Sequence, residues 1–410
     1  MQHVLFIGLV WPEPASSAAG TRIMQLIDVF QTRGYTVTFA CAASKSAYSY
    51  PLDTLGIREQ AIALNDSRFD DWIKAFQPDI VVFDRFMVEE QYGWRVREQC
   101  PNALTLLDTE DLHFLRTARQ IAERKQIEVD YNQEITKREI ASILRCDLSL
   151  LISKAEIALL TSIFHISPKL LFYLPFLEEE ISQKKIAKWK SYEERRDFIF
   201  IGNFLHEPNW HTVQILRKEV WPRLRKHIPN ASLHIYGAYA SEKVFQLHQP
   251  SERFFIKDRA NDARETMQQY RVLLAPIRFG AGAKGKFIDA MQAGTPSVTT
   301  SIGAESMSEN GLWNGFVTDA LDDFATKAQM LYEDKALWAM SQQSGIQINN
   351  EQYNKRLFID GFLESIQYMK DELQTHRKEN FIGEILKTQQ HNSLKYMSLW
   401  IEEKNKKESI

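Results

Sequence analysis

The chain has 410 residues, of which 44% are hydrophobic and 25% charged, and its formal net charge is −3. This length suits two cores of roughly 150 to 200 residues each. The composition disfavours disordered and membrane classes, and the charge gives no global reason to expect nucleic acid as a partner.

In chain order, "VLFIGLV" (4–10) reads as a buried strand rather than a signal peptide, because it has no basic leader and its short apolar run stops at Trp11-Pro12. No run approaches the roughly 18 apolar residues of a membrane span. Cys41, Cys100 and Cys146 lie apart in or beside apolar stretches. They read as buried free thiols, and a cytoplasmic protein is expected. "SSAAGTR" (16–22) joins the first strand to the first helix. Gly20 and Arg22 there are candidates for contact with an anion or a second substrate, against the plainer reading of a small-residue turn with a solvated arginine. G-x-G-x-x-G is absent from this first strand-to-helix turn, which argues against a dinucleotide dehydrogenase. In the helix that follows, Ile23, Leu26, Ile27 and Phe30 share one face and Gly34 ends it.

Further strands are predicted at "TVTFACA" (36–42), "IVVFD" (80–84), "ALTLL" (103–107) and "LSLLIS" (148–153), with helical segments between them. This is the pattern of βαβ units on a parallel sheet. "DTEDLH" (108–113) clusters acids after a strand. Asp108 or Asp111 is expected to cap the next helix, while Asp108, Glu110 and His113 are candidates to orient substrate in a cleft. The spacing is no standard metal-ligand set. From about 114 to 145 a charged helical stretch of alternating sign reads as mostly solvated surface.

"EEEISQKKIAKWKSYEERRD" (178–197) is a polar connector, after which the alternation restarts at 198–204, 232–239, 253–258, 271–277 and 296–300. Two successive α/β sets predict two doubly wound, Rossmann-like lobes with a cleft between them. "GNFLHEPNW" (202–210) offers Gly202, Asn203, His206 and Asn209 at the opening of the second lobe. Beyond about 323 the pattern is helical, ending in "WIEEKNKKESI". That tail and the lysine-rich connector read as solvated charged faces, with at most peripheral membrane contact.

The most informative stretch is "RFGAGAKGKFIDAMQAGTP" (278–296), between a predicted strand and a helix that ends at Gly294. Gly280, Gly282 and Gly285 allow close backbone approach and expose amides at a helix start, with Ala283 between them. Arg278, Lys284 and Lys286 add positive charge, so a diphosphate is the expected anion. Asp289 points away from the buried stripe and toward the loop, where a carboxylate can accept ribose hydroxyls or simply suit the helix N-terminus. The stretch also satisfies G-x-x-x-x-G-K, but Phe287 stands where a phosphate-loop triphosphatase needs Ser or Thr for magnesium.

Residues 276–307 resemble the donor-binding segment of retaining glycosyltransferases of the GT-B fold, family 4; "FIFIGNFLHEPNW" (198–210), "LLDTEDLHFLR" (106–116) and "LSLLISKAEIALL" (148–160) resemble further elements of that family. The resemblance implies an acceptor-side domain at 1–176, a nucleotide-sugar donor domain at 177–365 and a helical segment at 366–410 that packs back on the first. It also implies a metal-independent, retaining transfer to a glycan, lipid-linked or other hydroxyl acceptor, as in polysaccharide biosynthesis. Lys284, Arg278 and His113 are then the expected catalytic residues. Gly280, Gly282, Ala283, Gly285, Asp289, Asn203, His206, Gly20 and Arg22 are expected to hold the donor, and Lys257 and Asp258 to sit beside its base. Of the family's two glutamates eight positions apart, the second is Asp289 and the first is Ala281, so the carboxylate that the resemblance would place on the donor sugar is absent. A non-catalytic nucleotide-sugar-binding subunit and a phosphate-loop triphosphatase are the alternatives at this point.

Overall fold

Both runs of alternating strands and helices close into parallel sheets in the computed structural model, which describes residues 2–408. The first sheet comprises β1 (His3–Gly8), β2 (Thr36–Cys41), β3 (Arg58–Ala61), β4 (Ile80–Asp84), β5 (Leu104–Asp108), β6 (Leu148–Leu151) and β7 (Leu171–Tyr173), in the order β3-β2-β1-β4-β5-β6-β7. The second comprises β8 (Arg196–Ile201), β9 (Leu233–Tyr236), β10 (Phe254–Ile256), β11 (Tyr270–Ala275), β12 (Ser297–Thr299) and β13 (Gly315–Val317), in the order β10-β9-β8-β11-β12-β13. Every pairing within the two sheets is parallel. The predicted doubly wound, two-lobed α/β architecture is therefore the observed one.

The central strands form where consecutive residues are apolar, because helices cover both faces of such a strand. β4 is buried along its whole length. Strand β3 (Arg-Glu-Gln-Ala) carries no apolar run, and β7 and β13 are only three residues long; all three lie at or next to a sheet edge and escape the sequence pattern. Pairing with a neighbour rather than local preference makes them strands. All three cysteines are buried and free. Among the described residues no helix is long and apolar enough to cross a membrane.

The stretch 114–145 differs from expectation. It forms two helices, His113–Lys125 and Glu134–Arg145, and the second buries Thr136, Glu139, Ser142 and Arg145. The helix Phe381–Glu408 lies against Glu134–Arg145 and Phe86–Gln99, and Arg145 inside this layer is paired with Glu89. A face that looks solvated in sequence is thus covered from the far end of the chain. Residues 409 and 410 of the charged tail lie outside the described residues.

The chain crosses between the lobes twice, and the crossings run side by side. The Glu178 amide donates to the Tyr353 carbonyl (2.7 Å) and the Lys355 amide to the Glu178 carbonyl (2.8 Å). The helix Ile359–Asp371 then returns to the first lobe, where Phe362 is fully buried with its ring 5.9 Å from Phe30 and 5.6 Å from Phe172. Phe362→Ala is expected to destabilise the first lobe by about 3 to 5 kcal/mol. Urea unfolding followed by a probe in that lobe measures it, and a loss below about 1 kcal/mol would show that the returning helix is dispensable.

Candidate active site at the seam between the lobes

In each sheet the strand order reverses beside the first strand, between β1 and β4 and between β8 and β11. Crevices outside the carboxyl ends of strands at such points are where open α/β sheets bind ligands. The glycine-rich loop after β11 packs directly against the first lobe. Gly282 has φ +63°, and a Cβ there would lie 2.8 Å from the Cβ of Asp111 in the first lobe. A Cβ on Gly285 would lie 2.7 Å from that of Ala18. Gly280 has neither a positive φ nor a close neighbour, so it does not supply the unusual backbone expected of it.

Ala18 opens the helix Ala18–Thr32, capped by Ser17, whose side chain accepts from the Gly20 amide (3.0 Å). Gly285 opens the helix Gly285–Gln292. Two helix N-termini therefore meet across the seam, and the first amides of each helix have no acceptor within it. The positive ends of both helix dipoles are directed at the same region.

The lysines add to this field. Lys284 donates to the Gly282 carbonyl (2.8 Å). Lys286 reaches Asn209 Oδ1 and lies 4.6 Å over the Phe200 ring. Among the described residues neither forms an ion pair. Burial pushes Lys284 down to about 8, with Arg119 adding to the effect while Glu305 and Glu156 oppose it. Burial, with Lys284 beside it, pushes Lys286 down to about 7.

The arginines around them are all spoken for. Arg119 forks onto both carboxylate oxygens of Glu305 (2.6 Å each) and donates to the Gly280 carbonyl (2.9 Å), tying a helix of the first lobe to the loop of the second. Arg116 pairs with Asp111, and Arg85 with Glu110 (2.8 Å). Glu156 sits fully buried between the lobes, where one oxygen accepts from the Leu112 and Gly282 amides (2.9 Å each). Burial, followed by the nearby Asp111, raises its carboxyl to about 8. At neutral pH it is therefore a neutral acid beside the loop. His113 and His206 are both pushed down to about 3 by burial, helped by Arg116, although Asp111 opposes the shift at each. Both imidazoles are neutral at physiological pH.

The fold of two parallel-sheet lobes has counterparts among known proteins. Residues 195–334 match the family described as Glycosyl transferases group 1. The match runs from β8 past β13 and contains the whole glycine-rich loop. No curated protein sequence matches the chain. Among solved structures, a point mutant of S. aureus TarM in complex with fondaparinux, alpha-GlcNAc-glycerol and UDP superposes with a TM-score of 0.69 at 10% identity, over 89% of this chain and 99% of its own. Anabaena Alr3699/HepE in complex with UDP and glucose gives 0.66 at 15% identity, over 90% and 100%. Sucrose-phosphate synthase from Thermosynechococcus elongatus gives 0.65 at 14%, over 90% and 99%. The fold is GT-B, and its second lobe carries a glycosyl transferases group 1 domain.

Within the group 1 domain the residues expected at the site fall into two sets. Gly282, Ala283, Lys284 and Gly285 line the seam, with His206 near Lys286 and, across the gap, His113 near Asp111. Asn203 also faces the first lobe, donating to the Ser16 carbonyl (3.4 Å). Asp289 is engaged by Arg264, Nε to Oδ1 at 2.8 Å. Others make contacts within the second lobe. Arg278 donates to the Asp319 carbonyl (3.0 Å). Lys257 lies 5.5 Å over Phe255, and Asp258 accepts from the next amide, that of Arg259.

In the first lobe Gly20 and Arg22 serve the fold. A Cβ at Gly20 would meet the Glu13 backbone at 2.4 Å. Arg22 is buried and spent on Asp108 (3.3 Å) and the Pro175 carbonyl (2.6 Å). Neither Asp108 nor Asp111 caps the helix His113–Lys125. Glu139 from the next helix accepts the His113 and Phe114 amides (3.1 and 2.8 Å) instead, because its carboxylate reaches them from beneath while Asp108 and Asp111 hold arginines.

Arg85, Arg116, Arg119, Glu156, Arg264 and Glu305 carry no motif that marks them in the sequence. Arg116 and Arg119 follow His113 at steps of three on one helix, a spacing that puts them on its cleft side. That spacing is the signal the sequence offers for these two arginines.

The lysines give the site a pH signature. A lysine lowered to about 7 or 8 loses its proton above that value, and an anion favours the charged form, so anion binding takes up protons in this range. Affinity for inorganic pyrophosphate is expected to fall by at least about tenfold between pH 7 and pH 9. Calorimetry in two buffers of different ionisation enthalpy should read net proton uptake at pH 8; pH-independent affinity without uptake would contradict the assignment.

Proposed function

We propose that the protein transfers a sugar from a nucleoside diphosphate sugar to a hydroxyl acceptor with retention of anomeric configuration, without a metal. The observation that carries this reading is the convergence of two lysines lacking carboxylate partners with two helix N-termini at the lobe seam. Diphosphate is the ligand class that satisfies such a field. The group 1 domain and the UDP held in the TarM and Alr3699/HepE complexes support a nucleotide-sugar donor.

As the bond between the sugar's C1 and the phosphate oxygen breaks, its electron pair goes to the departing diphosphate. Lys284, Lys286 and the Gly285 amide stabilise that growing charge more than they stabilise the intact donor, which is what lowers a barrier. The acceptor oxygen bonds to C1 on the same face, and its proton passes to the leaving phosphate oxygen. Glu156, held neutral by burial, adds no opposing charge.

The acceptor enters on the 1–176 side and the donor on the 177–365 side. Two residues at the carboxyl ends of β4 and β5 support the acceptor assignment. Arg85 has φ +73° and ψ 157°, and Glu110 has φ +58°, conformations that cost of order 1 to 3 kcal/mol each and are kept where surrounding structure enforces them. Glu110, paired with Arg85, and His113 are positioned to meet a hydroxyl of a glycan or lipid-linked acceptor. A cytoplasmic setting, with at most peripheral membrane contact, fits this chemistry.

Incubation with UDP-, GDP- and ADP-sugars and a panel of hydroxyl acceptors tests the reading. NMR of the new linkage reports its anomeric configuration, and a chelator should leave the rate unchanged. Lys286→Ala is expected to lower kcat by about 10²- to 10³-fold. Its Tm should be unchanged or raised, since a poorly solvated cation is removed. Full turnover in that variant, or inversion at the anomeric carbon, would refute the mechanism.

A further inference from the structure

Asp289 does not stand alone on its helix. Arg264, from the short helix Ala263–Met267, donates Nε to Asp289 Oδ1 at 2.8 Å. Its two terminal nitrogens reach both oxygens of Glu178, at 2.9 Å each. Glu178 is almost wholly buried in the first chain crossing between the lobes, where its backbone pairs with the second crossing at Tyr353 and Lys355. It also accepts from Gln25 Nε2 (3.0 Å), and Gln25 Oε1 takes the Leu177 amide (2.9 Å), which anchors it to the helix Ala18–Thr32 of the first lobe.

The geometry of a guanidinium makes this chain specific. Its planar fork serves two carboxylates at fixed angles, which a lysine ammonium cannot reproduce. Although burial disfavours the cation, Asp289 and Glu178 together hold Arg264 firmly charged. Asp289 is one methylene shorter than a glutamate and would otherwise sample several rotamers. With Oδ1 fixed by Arg264, its second oxygen is held in one direction. The side chains of Asp289 and Arg264 each remain about 30% exposed, so the pair is reachable by ligand.

We propose that Arg264 is the positioning residue that sets ribose specificity, aiming the free oxygen of Asp289 at a sugar hydroxyl of the donor nucleotide and anchoring it through Glu178 to the lobe crossing. This rests on the reading of Asp289 as the ribose acceptor and extends it to a second residue that does not itself touch the ribose.

The test uses the full chain and whichever of UDP, GDP or ADP binds most tightly, with its 2′-deoxy and 3′-deoxy analogues. Inorganic pyrophosphate serves as a probe of the diphosphate subsite alone. The intact protein should prefer the ribonucleotide over at least one deoxy analogue by about tenfold or more, the value of one hydrogen bond to a charged group. Asp289→Asn should reduce that preference. Arg264→Gln and Arg264→Lys should each bring it within about threefold while leaving pyrophosphate affinity unchanged, a pattern that general loosening of the lobe would not give. If Asp289→Asn removes the preference and both Arg264 variants keep it, the positioning role is overturned while the ribose reading survives. Should Asp289→Asn keep the preference, the ribose reading fails and the proposal fails with it. Arg264→Lys retains the positive charge against Glu178, so it remains informative if Arg264→Gln does not fold.

Discussion

The close approach of two backbones at Gly282 and Gly285 is the constraint from which the rest of the site follows. Side chains at either position would collide with Asp111 or Ala18 and hold the lobes apart. With only hydrogen atoms there, the two helix N-termini meet, and Lys284 and Lys286 are drawn out of water together. Removing cations from solvent is unfavourable unless something compensates. Folding supplies a carbonyl, an amide oxygen and an aromatic face in place of carboxylates. The protein thus holds charge in a form that an anionic ligand relieves.

The surrounding groups divide sharply by chemistry. Arginines that build the walls are each locked to an acid: Arg22 to Asp108, Arg85 to Glu110, Arg116 to Asp111, Arg119 to Glu305. These pairs fix shape and contribute little net field at the seam, since each positive charge is offset nearby. The acids that have no cation, Glu139 and Glu156, accept backbone amides and are kept neutral by burial. The histidines are neutral for the same reason. Of these groups, Lys284 and Lys286 form no ion pair among the described residues, and they lie at a helix start.

The lobes are also joined by elements distant from the loop. Paired crossings at Glu178 and Lys355 form a narrow waist, and the returning helix beyond it buries Phe362 in the first lobe's core. Relative lobe motion must therefore bend this waist and part the contacts at the seam, including the Arg119–Glu305 fork. Arg264 touches both systems, because its guanidinium links the helix of the glycine-rich loop to Glu178. A ligand that engages Asp289 acts on a side chain already connected to the crossing.

The sequence by itself determined the two parallel sheets, since β1, β4, β8 and β11 each contain four or more consecutive apolar residues (4–7, 80–83, 198–201 and 272–275), a pattern that suits a strand covered on both faces. It also determined the glycine-rich loop and its lysines, because glycine content and charge are read directly from residue identity. It did not determine which charges are solvated. Arg22 finds Asp108 86 residues away and Arg119 finds Glu305 186 residues away, so neither partnership leaves a local pattern. The helix Glu134–Arg145 reads as surface until the chain's final helix, far along the sequence, lies over it. Edge strands such as β3 and β13 likewise exist through pairing. Local composition fixes which segments become strands and where a backbone can come close; long-range packing decides which charges are paired, which are neutral and which are left for a ligand.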